Sequence, residues 1–275
     1  VRNCIGVFDS GLGGLTIAGE ILHHLPDESI VYFADTAHVP YGERPLAEIE
    51  GFAIGITGFL IEHGAKIVVM ACNMSSAAAL ESARVVFPNI PILGVIEPGS
   101  RAAVATGSKS IGVLATTGTT KSGAYGRAIR NLDPETTVIE QACPAFVPLI
   151  EGGMADSEDA EVAVRKYVEP VLASGASTLV LGCTHYPFLR PVIERAAPGA
   201  TIVDPAEETV QELHNILTEH GIAAPVNDLK EHTFFASGDT DGFARLGSKF
   251  LGKEIAQVEH VVWGVDLMPS SKSKV

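Results

Sequence analysis

Cysteine is scarce in this chain and nowhere paired: Cys4, Cys72, Cys143 and Cys183 are the only four in 275 residues, and no two form a Cys-x-x-Cys motif. That is too few for a disulfide scaffold, and the nine histidines show no ligand spacing, so neither a disulfide-stapled protein nor a zinc protein is expected. Cations are short as well. Lysine and arginine number 19 against 33 acidic residues, a formal charge of -14, which argues against nucleic-acid and anionic-membrane partners because both need clustered positive charge. A small acidic substrate stays allowed, since a few local backbone amides outweigh a diffuse, distant charge. No apolar run nears the roughly 20 residues that cross a bilayer. The N-terminus has no charged-then-apolar signal pattern either, so a cytoplasmic location is expected.

What is present is ample core. Hydrophobic residues at 46% and charged residues at 19% describe a folded globular protein, long enough for one large or two modest domains. Short apolar runs alternate with helical stretches. A strand ends at Asp9 and runs into the Gly-rich turn Gly11-Leu12-Gly13-Gly14; a helix follows and stops near Pro26; Ile30 to Ala34 is a second strand, ending at Asp35. A helix from Leu46 to His63, a strand before Cys72, a helix over Ser75 to Val86 and a strand at Ile92 to Val95 complete the first half. Strand and helix at each step imply a mainly parallel sheet covered on both faces.

The pattern then begins again. Ile5-Gly6-Val7 recurs as Ile111-Gly112-Val113, 106 residues on, and Cys72 recurs as Cys183, 111 residues on. Two landmarks repeating at nearly one period point to an internal duplication, with Ser10 falling on Thr116. The second half reads as a helix around Tyr125 to Arg130, a strand at Thr137 to Ile139, a helix from Ser157 to Leu172, a strand over Thr178 to Gly182, a further helix and a strand at Thr201 to Asp204. A helix after Pro205, a strand at Thr233 to Ala236, a helix near Phe243 to Phe250 and the run Gln257 to Val262 return to the first domain. The expected fold is α/β: two similar domains with mainly parallel sheets, related by pseudo-two-fold symmetry, and an active site in the cleft between them. Residues 1–97 with 208–268 form one domain and 98–207 the other, and 269–275 are a frayed tail.

Cys72 and Cys183 both follow a strand and a small residue, in the sequences Ala71-Cys72-Asn73 and Gly182-Cys183-Thr184-His185. A thiol on such a turn before a helix is favoured as thiolate by free amides and the positive helix end. The ordinary reading of a lone cysteine is a small core residue, and it stands for Cys4 and Cys143. For Cys72 and Cys183 the repeat in register and the polar followers favour function. Two thiols facing each other across a cleft suit racemisation, in which one removes the α-proton and the other returns a proton to the opposite face. Asp9 and His185 stand beside them. Asp9 reads equally as a helix N-cap, His185 as a satisfied loop histidine, and Asn73, Ser75, Ser76 and Thr184 as caps or as carboxylate ligands. Acidic groups such as Asp35 and Glu151 are usually solvated.

Two rivals remain. The Gly-rich turn with Asp35 at the next strand end has the outline of a dinucleotide site, but Thr16 replaces the third glycine and Asp9 would crowd a pyrophosphate. A non-catalytic amino-acid-binding protein could use the same two-domain cleft.

Taken together, Phe8-Asp9-Ser10-Gly11-Leu12-Gly13-Gly14, Pro40-Tyr41-Gly42, Ala71-Cys72-Asn73 and Leu181-Gly182-Cys183-Thr184-His185-Tyr186-Pro187 resemble the glutamate racemases of the aspartate/glutamate racemase superfamily, over nearly the whole chain to about Val262. The resemblance implies a cofactor-independent, cytoplasmic isomerase, a homodimer, that interconverts L- and D-glutamate to supply peptidoglycan synthesis. It implies Cys72 and Cys183 as the proton-transfer residues, acting on D- and L-glutamate respectively. Asp9, His185 and Glu151 assist, with Asp35 as a further acid. The implied substrate site takes in Asp9, Ser10, Pro40, Tyr41, Gly42, Cys72, Asn73, Met74, Thr116, Thr119, Cys183, Thr184 and His185, with no metal. The family usually has threonine where this chain has Met74, so a hydroxyl is lost there. Aspartate, one methylene shorter, is the alternative substrate within the superfamily; such a difference is worth about 1–3 kcal/mol.

Overall fold

The structure, a computed structural model, describes residues 3–225 and 230–263, and the expected tail at 269–275 lies outside the described residues. The chain divides into two compact units, one running to Gly94 and resuming at Val210, the other Val95–Thr209. The first contains β1 (Cys4–Asp9), α1 (Leu15–His24), β2 (Ile30–Ala34), α2 (Leu46–Glu62), β3 (Ala65–Met70), α3 (Asn73–Val86) and β4 (Ile92–Gly94). Every residue of β1 and β2 is buried, and of β3 all but Lys66. Their unbroken apolar runs are those of parallel strands covered on both faces.

The second unit contains α4 (Ile96–Ala105), β5 (Ser110–Ala115), α5 (Thr117–Ser122), α6 (Ala124–Leu132), β6 (Thr137–Ala142), α7 (Phe146–Glu151), α8 (Glu158–Ala173), β7 (Thr178–Gly182), α9 (Arg190–Ala196) and β8 (Thr201–Val203). The boundary between the units falls within α10 (Pro205–Glu219). After it, β9 (Thr233–Ala236), α11 (Thr240–Leu251) and β10 (Glu259–His260) complete the first unit. Among the described residues no helix is long and apolar enough to cross a membrane.

Both sheets are parallel throughout. The strand order is β10-β9-β2-β1-β3-β4 in the first unit and β6-β5-β7-β8 in the second. The four strands β2-β1-β3-β4 thus have the same order as β6-β5-β7-β8. Because β2 and β3 lie on opposite sides of β1, right-handed crossovers send α1 and α2 to opposite faces and leave a crevice beyond the carboxyl ends of β1 and β3. The same reasoning puts a crevice beyond β5 and β7. Register repeats too: Phe8 pairs with Met70 in the first sheet and Leu114 with Leu181 in the second. These pairs carry the same spacings, 106 and 111 residues, as the sequence repeat, so Cys72 and Cys183 each stand two residues beyond equivalent strand positions.

Three elements differ from the sequence reading. Helix α4, for which the sequence reading has no counterpart, covers Glu97-Pro98-Gly99, where the expected domain boundary at 97/98 falls; Pro98 is only its third residue, where an N–H has no helical partner to lose. Helix α5 occupies what reads as a turn after β5. Strand β6 runs on to Ala142, three residues past Ile139, because it is an edge strand whose half-exposed positions admit Glu140 and Gln141 without an apolar signal.

Glycines mark where helix and sheet approach closely. A Cβ on Gly112 in β5 would lie 2.3 Å from Val171 Cγ1 and 2.7 Å from Leu179 Cδ2, whereas one on Gly51 in α2 would meet nothing within 4 Å. Gly112→Ala is therefore expected to destabilise the protein by about 1–3 kcal/mol. Gly51→Ala should stabilise it by about 0.5–1 kcal/mol through helix propensity. Urea unfolding of the two variants checks the opposite signs.

Candidate active site

In the first unit the site grows from the end of β1. Asp9, the last residue of that strand, is buried, and its Oδ2 accepts the Gly11 N–H at 3.0 Å. It is not a helix cap: α1 begins at Leu15, and its cap is Gly14, which makes no side-chain capping bond. The Tyr32 hydroxyl donates to Gly11 O at 2.9 Å and closes the loop from below. Burial first, and then the charges of Asp9 and Cys72, hold the Tyr32 phenol well above its ordinary range, so it stays a neutral donor. Gly14 has no room for a side chain, since its Cβ would fall 2.5 Å from Asp9 Cβ and 2.7 Å from Tyr32 Oη. With the Gly11 amide already facing a carboxylate, this Gly-rich turn is not arranged to receive a pyrophosphate.

Cys72 is the N-cap residue of α3, with Ser76 N–H bonding back to Cys72 O at 2.9 Å. Its thiol lies 4.0 Å from the Ser10 hydroxyl. Asn73 and Met74 open the helix, both buried, and Ser75 is fully buried. Ser76 is no cap; its hydroxyl donates to Met70 O at 2.9 Å. Met74 packs with Tyr41, Ile49 and Cys72 in one apolar cluster, so its side chain serves as packing beside the thiol. Tyr41 lies in a short 3-10 turn, Tyr41–Glu43, with Pro40 exposed ahead of it and Gly42 half-buried. The Val39-Pro40 peptide is cis.

Asp35 is the clearest correction among the acids. Expected to be solvated, it has no exposed surface and accepts hydrogen bonds from Tyr41, Ser237 and Trp263. Burial, followed by the Asp35 charge and hydrogen bond, pushes the Tyr41 phenol well above its usual range.

In the second unit Cys183 leaves β7 in the same way but finds different company. The helix expected after the Cys183 turn is at first a 3-10 turn, Tyr186–Leu189, with α9 starting only at Arg190. The helix-end argument for a thiolate therefore applies to Cys72 and not to Cys183. Cys183 has His185 instead: Nδ1 lies 3.9 Å from the thiol, and Nε2 lies 3.0 Å from Glu151 Oε1. His185 is buried and Glu151, at the end of α7, has a half-exposed side chain. Thr184 is buried. Thr116 caps α5, its hydroxyl accepting Thr119 N–H at 3.4 Å and lying 3.1 Å from the buried Thr119 hydroxyl.

The structure thus gathers Asp9, Ser10, Tyr41, Cys72, Asn73 and Met74 in one unit, and Cys183, His185 and Glu151 in the other. Tyr32, Ser237 and Trp263 were not legible as site neighbours. Tyr32 carries one usable signal, a polar tip within an otherwise apolar strand. One metal-type spacing also escaped notice: Glu20, His23 and His24 on α1 bring ligand atoms within 4.8 Å of one another, on the partly exposed surface, with His24 already paired to Glu20 at 3.2 Å.

The sequence model of the family described as Asp/Glu/Hydantoin racemase matches residues 17–213. This chain belongs to that family. Among curated relatives, the glutamate racemase of Geobacter metallireducens is 44% identical over 259 residues, covering 94% of this chain and 96% of the relative. Among solved structures, a glutamate racemase isoform of Bacillus anthracis superposes with a TM-score of 0.90 at 38% identity, covering 94% of this chain and 97% of that one. A glutamate racemase of Francisella tularensis, solved in complex with D-glutamate, gives a TM-score of 0.89 at 33% identity, covering 94% and 97%.

Within this racemase-family chain the two thiols are equivalent in position and unequal in support. By register, Asp9 corresponds to Ala115, and His185 to Met74. The carboxylate of Asp9 in the first unit and the imidazole of His185 in the second thus have apolar residues at their register equivalents. The remaining cysteines lack any such setting. Burial raises the thiols of both Cys4 and Cys143, and Cys143 Sγ is spent on Gln141 O at 3.5 Å. Iodoacetamide at neutral pH is accordingly expected to modify Cys72 and Cys183 about tenfold or more faster than Cys4 and Cys143. Peptide mass spectrometry over a time course reads the four rates.

Proposed function

We propose that this protein interconverts L- and D-glutamate by two-base proton transfer, with Cys72 and Cys183 as the two bases. The observation that carries the reading is the pair of cysteines at register-equivalent strand ends, each with its own polar neighbour, in a chain of the racemase family. That the curated relatives are glutamate racemases, and that one solved relative holds D-glutamate, supports glutamate as the substrate.

The chemistry follows from the side chains. An α-proton of an amino acid is weakly acidic, and its removal leaves charge on the neighbouring carboxylate. A thiolate on one face takes that proton, and a thiol on the other face delivers its own, inverting the centre; the roles are exchanged for the next turnover in reverse. The reading requires one thiol on each side of the same α-carbon. Cys72 takes the proton of D-glutamate and Cys183 that of L-glutamate. Asp9 assists at Cys72, and His185, held by Glu151, assists at Cys183. The first amides of α3, at Asn73 and Met74, suit a carboxylate, and Met74 contributes through its backbone rather than its side chain. Ser10, Pro40, Tyr41, Gly42, Thr116, Thr119 and Thr184 complete the substrate surroundings.

Proton transfer of this kind asks nothing of a cofactor, and the reaction is proposed to run without one. The proposed setting is a cytoplasmic homodimer supplying D-glutamate for peptidoglycan. Circular dichroism of the purified protein with each enantiomer of glutamate, and with aspartate as control, tests the reading directly. Glutamate is expected to racemise with solvent deuterium entering the α-position. Cys72→Ser and Cys183→Ser should each lower turnover by about 10²–10⁴-fold, the usual range for losing a general acid-base group. Near-normal turnover in both variants would remove the thiols from the mechanism.

A further inference from the structure

Asp35 follows β2 with no exposed surface, and both of its carboxylate oxygens are engaged. Oδ1 takes the Ser237 hydroxyl at 2.7 Å and the Trp263 indole N–H at 2.8 Å, donors that lie just beyond β9 and β10. Oδ2 takes the Tyr41 hydroxyl, while His38 Nδ1 sits 2.9 Å from Oδ1 and 3.1 Å from Oδ2. A buried carboxylate needs such donors to offset its lost hydration. Their origin is what matters here. Oδ1 is bound from the segments that follow the last strands of the first unit and Oδ2 by Tyr41, while His38 of the same loop as Tyr41 lies within reach of both oxygens.

We infer that Asp35 is a positioning residue: its carboxylate joins the segment after β9 and β10 to the 38–44 loop, and so sets Tyr41 against Cys72. Other contacts run along the same line. Ala37 N–H bonds Ser237 Oγ at 3.0 Å, and Gly238 N–H bonds Thr36 Oγ1 at 2.9 Å. Trp263 packs edge-on against His38 and Phe52, with centroids 4.8 and 4.9 Å apart, and Phe52 in turn lies 5.9 Å from Tyr41. Arg44 Nε closes the loop on itself by donating to His38 O at 2.6 Å. Tyr41 then meets Cys72 and Met74 in their apolar cluster. The lone pairs of Asp35 thus face protein donors, and it acts through Tyr41 rather than on a substrate atom.

The inference rests on the glutamate reading only for the identity of the ligand, and the test separates the two. Trp263→Phe keeps an aromatic ring and removes the N–H; Ser237→Ala removes a second Oδ1 donor together with the acceptor of the Ala37 N–H, and leaves every side chain of the 38–44 loop in place. In the full-length protein each is expected to raise KM for glutamate about five- to tenfold while kcat stays within about twofold, the pattern of lost ground-state positioning. Hydrogen exchange of the 38–44 amides should quicken about tenfold in the same variants, with the strand amides of β1 and β3 unchanged. Unaltered exchange in the loop would overturn the inference whatever the activity. Faster exchange with an unchanged KM would overturn the claim that the latch serves the substrate. If the wild-type protein turns over no glutamate while the loop still loosens in both variants, the latch stands and the glutamate reading falls.

Discussion

Parallel pairing of β1 with β3, and of β5 with β7, is the constraint on which the chemistry depends. In each sheet the strand order turns back at this pair, so helices leave to opposite faces and the carboxyl ends of the two strands open onto a crevice. Register then decides which side chains stand there. Phe8 opposite Met70 puts Ser10 and Cys72 just past the ends of their strands, and their hydroxyl and thiol come within 4.0 Å. A slip of one residue would exchange the faces of every side chain on the strand and bury the thiol in the sheet. The fit around the strands is close as well: neither Gly14, beyond β1, nor Gly112, in β5, tolerates even a methyl group without displacement.

Equal position has not meant equal surroundings. Cys72 caps a helix of 14 residues, whose first amides and dipole favour an anion without any titratable helper in the same turn. Cys183 precedes a 3-10 turn of four residues, too short for a useful dipole, and has beside it the imidazole of His185 with the carboxylate of Glu151 behind it. The substitutions between the halves agree with that division. Met74 stands where the second unit has an imidazole, beside a helix end that favours an anion, and Ala115 stands where the first unit has a carboxylate. The two sheets thus differ at the neighbours of the thiols while the thiols themselves are in register.

Much of this was readable from the chain. Fully buried parallel strands are uniformly apolar and end at Asp, Cys or Gly, so β1, β2, β3 and β7 announce themselves, as do the cysteines after β3 and β7. Helices α4 and α5 did not, for local reasons: Pro98-Gly99 and the Thr/Gly-rich run after Thr116 have poor intrinsic propensity, and only tertiary packing and the Thr116 cap make them helical. The environment of Asp35 was beyond reach for another reason. Its Ser237 and Trp263 partners are 202 and 228 residues away in sequence, so a strand-end acid that looks solvated from its neighbours is in fact enclosed by the returning end of the chain. Glu151 and His185 were each recognisable as candidates, but that one holds the other depends on the fold of α7 against the turn after β7.

Net charge raises the remaining physical question, since a chain at -14 is proposed to take a dicarboxylic amino acid. Surface carboxylates act weakly at a distance, because physiological salt screens them beyond about 8 Å. What a ligand meets is local. On the proposed reading it meets, at the end of β3, the amide end of α3, which suits a carboxylate, and at the end of β1 the buried carboxylate of Asp9, which does not. A simple anion would gain at the first place and lose at the second. A zwitterion gains at both, with its carboxylate toward the amides and its ammonium toward Asp9. On the proposed reading, opposite partial charges at neighbouring strand ends thus favour an amino acid over an ordinary acid, whatever the sign of the protein as a whole.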